Sequence, residues 1–115
     1  MAANPAAPIR ELQLSTEKKG EEIIVHGTGR ITSATSGLLQ STIRGLIPGA
    51  RRIVLDLSEV SYIDSSGIGA LVSVYMAASR VQCDLELANP QPRIRDLFEL
   101  SRLTAVFESR GGFGA

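Results

Sequence analysis

Two neighbouring segments decide how this chain folds: IVLDL at positions 53–57 and VSYIDSSGIG at positions 60–69. The first is aliphatic and β-branched with little polar alternation, which predicts a strand buried on both faces of a mixed or parallel sheet. After Asp64, apolar residues recur at helical spacing, which predicts a helix over 65–80. The second segment therefore joins a buried strand to the N-terminus of a helix.

The rest of the chain alternates strand and helix patterns. Upstream, the pattern predicts two hairpin-paired strands (9–14 and 22–25, with a turn at 17–20) and a helix over 38–47 preceded by the cap-type residues Thr32, Ser33 and Thr35. Downstream, it predicts a strand (83–87), a short helix ending at Leu100 and a last short strand (106–107). This order predicts an α/β fold whose helices pack mainly on one face of the sheet.

Length and composition indicate one folded unit. The chain has 115 residues, of which 43% are hydrophobic and 21% charged. A chain of this size and balance can bury a core without disulfides or metals. The Ala/Pro-rich residues 1–8 and the Gly-rich residues 110–115 are expected to be flexible tails on a domain over 9–109.

Charge and hydropathy exclude several classes of function. Twelve basic and twelve acidic residues give a formal net charge of +0, and the basic residues are dispersed, which argues against a nucleic-acid partner. The longest mostly apolar stretch, 70–78, is far shorter than a membrane span. Residues 1–8 also lack the pattern of a secretory signal. We therefore expect a cytoplasmic protein with no membrane partner.

The scarcity of cysteine and histidine limits the chemistry that the chain can perform. The single cysteine, Cys83, cannot form an intramolecular disulfide, and with the single histidine, His26, it cannot build a zinc site. A serine nucleophile also needs a base, and His26 lies in a strand pattern away from the serines. The sequence predicts no metal, no cofactor and no catalytic residues.

The DSSGIG segment at 64–69 has two interpretations. In the first, Asp64, Ser65 and Ser66 are helix caps, and Gly67 and Gly69 allow close helix packing. In the second, a serine hydroxyl is presented at a helix N-terminus, where unpaired N–H groups and the helix dipole favour a negative charge. A phosphoserine would fit such a position. In this interpretation the glycines let another backbone or a ligand approach closely.

The chain resembles the STAS domain family, specifically the anti-sigma factor antagonists. The resemblance rests on a strand containing LDL, the turn IDSSGIG and the later helix PRIRDLFELS, which occur together at this spacing in that family. GRITSAT at 29–35 is also similar to the family's Gly-x-(Leu/Ile)-Asp-x-x-Thr turn, with Thr32 in the place of Asp. The resemblance covers about residues 10–109.

The resemblance implies a fold and a function. The fold is a single α/β domain with a mixed sheet of four to five strands and helices mainly on one face. The function is that of a regulatory protein rather than an enzyme: the unphosphorylated domain binds a serine kinase that is also an anti-sigma factor, and so frees a sigma factor. Phosphorylation of Ser65 would abolish this binding, and a serine phosphatase would restore it.

The resemblance also implies a set of partner-binding residues around the phosphoacceptor. These are Thr32, Ser33, Asp64, Ser66, Gly67, Ile68 and Gly69. Because Thr32 carries no charge, recognition by the kinase is expected to differ from that of relatives with Asp. The alternative within the same family is a STAS module that is never phosphorylated, such as a scaffold or a subunit of a lipid-transport complex.

Overall fold

A computed structural model of the chain describes residues 11–100. The elements, in chain order, are β1 (Leu12–Lys19), β2 (Glu22–Ile31), α1 (Ser36–Leu46), a short 3-10 turn (Ile47–Gly49), β3 (Arg52–Ile63), α2 (Ser65–Arg80), β4 (Asp84–Ala88) and α3 (Pro92–Leu100). The predicted α/β class and element order are confirmed. Three predictions fall outside residues 11–100. They are the flexible tails at 1–8 and 110–115, the first residues of the strand at 9–14, and the strand at 106–107.

The four described strands form one mixed sheet in the order β1-β2-β3-β4. β1 pairs antiparallel with β2, whereas β2 with β3 and β3 with β4 are parallel. The hairpin between β1 and β2 is confirmed, but its predicted turn at 17–20 is wrong. The pairing continues to Lys19 and Glu22, so the turn consists of Gly20 and Glu21 alone. Gly20 permits this tight two-residue turn because it adopts a φ of 64°.

β3 differs from its predicted form in length and burial. It continues to Ile63, and two register irregularities against β2 end the simple alternation of buried positions after Leu57. The second half of β3 could not be predicted from the sequence, because residues 58–62 show neither a continuous apolar run nor a regular alternation. The prediction of burial on both faces is also wrong. Leu55 is fully buried but its neighbours Val54 and Asp56 are partly exposed, because α1 and α2 cover one face.

The core lies between that face of the sheet and the helices. Buried aliphatic side chains of α1 and α2 pack against those of the central strands, and α3 adds two further buried side chains. These residues are Leu39 and Ile43 of α1, Leu71, Val74 and Ala78 of α2, Val25, Ile53, Leu55, Leu57 and Leu87 of the sheet, and Ile94 and Phe98 of α3. Burial of this aliphatic surface is the main term that stabilises the fold.

The opposite face of the sheet carries a charged cluster around His26. The ring nitrogen Nδ1 lies 3.0 Å from the Asp56 carboxylate, and Nε2 lies 3.4 Å from that of Glu17. Both hydrogen bonds raise the pKa of His26, and the bond to Asp56 has the larger effect. Burial alone would raise the pKa of Asp56, but hydrogen bonds from Ser58, His26 and Asn89 lower it overall. Asp56 thus has the partners that its place in a strand requires.

Replacing His26 with Asn should remove a pH-dependent contribution to stability. The folded pKa of His26 is raised above 6.5, so the stabilisation is fully present below that pH and is lost as pH rises through the folded pKa. The pair is partly exposed, so the effect should stay below about 1 kcal/mol. Urea unfolding at about pH 5.5 and about pH 8.5 measures the difference. Equal pH dependence in wild type and His26→Asn would contradict this assignment.

Candidate functional site

The junction between β3 and α2 is built around Asp64. Asp64 is the N-cap of α2, and its Oδ1 accepts a hydrogen bond of 3.0 Å from the backbone N–H of Gly67. Its own backbone N–H donates to the carbonyl oxygen of Ile31 at 3.2 Å. The first bond satisfies one of the unpaired N–H groups at the helix start, and the second ties this start to the end of β2.

Ser65 and Ser66 form the exposed start of α2. Both side chains are exposed, whereas Asp64 is half-buried beside them. Because α2 begins at Ser65, the prediction that all three residues are caps is wrong for the two serines, and Asp64 alone caps the helix. The two hydroxyls therefore lie at the surface, beside backbone N–H groups of the first helical turn.

The two glycines of α2 have different surroundings. Gly67 is buried, and a Cβ at this position would overlap the carbonyl oxygen of Ile31 and lie 2.8 Å from Cγ2 of Ile63. Gly69 is exposed, and a Cβ there would meet nothing within 4 Å. The expected direct contact of Gly67 with a partner is therefore corrected to an internal packing role. Gly69 keeps the accessible position that the sequence predicts.

The turn between β2 and α1 lies beside this junction. Ile31 and Ile63 are register partners at the ends of parallel strands, so Thr32 and Ser33 come to the same edge of the sheet as Asp64. The Thr35 hydroxyl accepts from the Thr32 backbone N–H and donates to the carbonyl of Arg30, both at 2.9 Å. Thr35 is the N-cap residue of α1, as its residue type predicts, but it is buried and its hydroxyl bonds within the turn instead of to the N–H groups of the helix.

A groove of about 530 Å³ opens beside Ser65, between the end of β3, the start of α2 and α3. Its lining is mostly apolar, and Tyr62 and Leu100 are 46% and 83% exposed there. The groove is lined by Tyr62, Ser65, Ile68, Arg93, Leu97 and Leu100, together with Asp64, Asp96 and two buried isoleucines. The contribution of α3 to the groove could not be predicted from the sequence, because no local pattern indicates which strand end a later helix will approach.

Within residues 11–100, the side chains form neither a metal-binding cluster nor an activated thiol. No group of three or more His, Cys, Asp or Glu residues there could hold a metal ion. Cys83 is buried, and burial raises the pKa of its thiol, which disfavours the nucleophilic thiolate. None of the helices between residues 11 and 100 has the length and hydropathy of a membrane span.

Residues 13–111 match the model of the STAS domain family, and the chain belongs to that family. One curated relative is the putative anti-sigma factor antagonist BtrV of Bordetella bronchiseptica. The two are 30% identical over 97 residues, which cover 84% of each chain. The predicted resemblance to STAS domains is thereby confirmed, and it extends to relatives named anti-sigma factor antagonists.

Solved structures agree with this fold. The unphosphorylated form of the anti-sigma factor antagonist SpoIIAA superposes with a TM-score of 0.69 at 21% identity, covering 86% of this chain and 97% of that chain. A sulfate transporter family protein from Wolinella succinogenes superposes with a TM-score of 0.73 at 15% identity, covering 83% and 78%. At these identities the likeness shows the fold alone, and the fold occurs in proteins with different roles.

Proposed function

We propose that this protein is an anti-sigma factor antagonist whose unphosphorylated form binds a serine kinase that is also an anti-sigma factor. Binding would free a sigma factor for transcription in the cytoplasm. The observation that carries the proposal is the exposed Ser65 hydroxyl at the start of α2, directly after the Asp64 cap, in a STAS domain. The relative named as a putative anti-sigma factor antagonist supports the same role.

The docking surface would be the edge of the sheet where the two turns meet. Ser33, Ser66 and Gly69 are exposed there and would contact the partner directly. Thr32 and Ile68 are half-buried, and Gly67 would act indirectly by holding α2 against β2. Because Thr32 carries no charge, the partner would meet a neutral hydroxyl at this turn.

Phosphorylation of Ser65 would switch binding off at the interface and leave the fold intact. A phosphate adds a charge of about −1.5 to −2, which a helix N-terminus accepts without strain. A close interface around short side chains has no room for this group, and desolvating its charge would weaken binding on the order of 10²- to 10³-fold. A serine phosphatase would restore the binding-competent form.

Treatment with ATP and the candidate kinase from the same genome should add one phosphate to the protein. Intact mass spectrometry would show the added group, and fragmentation would place it on Ser65. Ser66→Ala should still accept the phosphate, whereas Ser65→Ala should not. Both hydroxyls are exposed at adjacent positions, so this pair of variants identifies which of them is the acceptor. Transfer to Ser66, or no transfer by a kinase that binds the domain, would contradict the proposal and favour a STAS module that is never phosphorylated.

A further inference from the structure

We infer that Arg93 is the counter-ion of phosphorylated Ser65, so that modification links the start of α2 to α3 across the groove. The inference rests on the proposed function for the occurrence of the phosphate. The pairing itself does not depend on which enzyme adds the phosphate: any phosphate on Ser65 should pair with the side chain of Arg93. Arg93 is the second residue of α3 and lines the same groove as Ser65.

The guanidinium of Arg93 is available for such a pair. The side chain is exposed, and Arg93 forms no ion pair with another residue of 11–100. Arginine suits the task because its planar fork can donate two parallel hydrogen bonds to phosphate oxygens. A long and unpaired side chain on the opposite wall of the groove therefore meets the chemical requirement.

The other charges on the groove make Arg93 the selective partner. Asp64 and Asp96 also line it, so among the described residues one cation faces two carboxylates. Asp64 already accepts the hydrogen bond from Gly67, and Asp96 lies one turn beyond Arg93 on α3. A phosphate on Ser65 would add negative charge to this acidic surrounding. Repulsion from the carboxylates and attraction to Arg93 would then orient the phosphate toward α3.

The pair would add a second effect to the charge of the phosphate. Ile68 and Leu97 line the same groove, each about one helical turn from Ser65 and Arg93 respectively. An ion pair spanning the groove would cover these apolar side chains, so a partner that buries them would lose contacts and also meet a charged group. Phosphorylation would thus change the accessible shape of the surface without a rearrangement of the core.

The test uses full-length protein with phosphoserine incorporated at position 65 during translation, so no kinase is needed. Phosphorus NMR follows the ionisation of the phosphate in this protein and in the same protein carrying Arg93→Gln. The phosphate should ionise at a lower pH when Arg93 is present, because the guanidinium favours the dianion. The difference should shrink at high salt. Arg80→Gln, the same charge change at the far end of α2, is the control and should not move the midpoint.

The side chain of Arg93 provides a second readout. Its Nε–H resonance should shift when phosphoserine replaces Ser65, whereas that of Arg80 should not. Equal phosphate midpoints in the Arg93→Gln and Arg80→Gln proteins, or an unshifted Arg93 resonance, would overturn the inference. If both readouts move while the kinase fails to modify Ser65, the proposed function fails and the pairing stands. If the kinase modifies Ser65 and neither readout moves, only the pairing fails.

Discussion

Ser65→Asp is expected to fold with a melting temperature near that of wild type and to bind the kinase partner about 100-fold or more weakly. The carboxylate lies in the first turn of α2, where the helix dipole favours negative charge, so the fold should lose nothing. At a docked interface the same charge would have to be desolvated, which weakens binding even with Arg93 nearby. Calorimetric titration against the partner, with thermal melts of both proteins, measures binding and stability separately.

Two further variants make this result specific. Ser65→Ala should fold and bind, and the kinase with ATP should not inactivate it. Ser15→Asp makes the same change on the exposed part of edge strand β1, outside the site, and should leave binding unchanged. If Ser65→Asp binds as tightly as wild type, or loses binding only because it unfolds, the interface-charge mechanism is wrong.

Gly67→Val is expected to destabilise the domain by about 2 to 4 kcal/mol, the largest effect on folding that we predict. The added side chain would clash with the carbonyl oxygen of Ile31 and the side chain of Ile63. Both belong to strand ends that cannot move without breaking the bond from Asp64 to Ile31. α2 would have to tilt away from β2 and lose core contacts. Urea unfolding of wild type and variant measures the change in the free energy of unfolding.

Gly69→Val is the matched control for this experiment. It lies two positions further along the same helix, where a side chain meets nothing within 4 Å, and valine and glycine have similar helix propensities. Its stability should therefore stay close to wild type, while its added bulk on the docking surface should weaken partner binding. If Gly67→Val is as stable as wild type, the packing of α2 against Ile31 is wrong. Unchanged partner binding by Gly69→Val would remove Gly69 from the interface.

Features set by local residues could be predicted from the sequence. The 16 residues of α2, from Ser65 to Arg80, coincide with the predicted helix, because apolar spacing and the Asp64 cap act within a few residues of each other. β4, at Asp84–Ala88, lies within one residue of its predicted position at 83–87. The family and its DSSGIG turn were also evident, since a motif of fixed spacing is a property of the chain alone.

Features that depend on contacts between distant segments required the tertiary structure. The register irregularities between β2 and β3 carry β3 on to Ile63, and this places Asp64 against Ile31. The same contact buries Gly67 and leaves Gly69 exposed, although both glycines look alike in the sequence. The groove exists because α3 brings Arg93 to the wall opposite Ser65. Strand register and helix placement are decided by the packing of the whole core, so no local pattern could reveal which residues meet there.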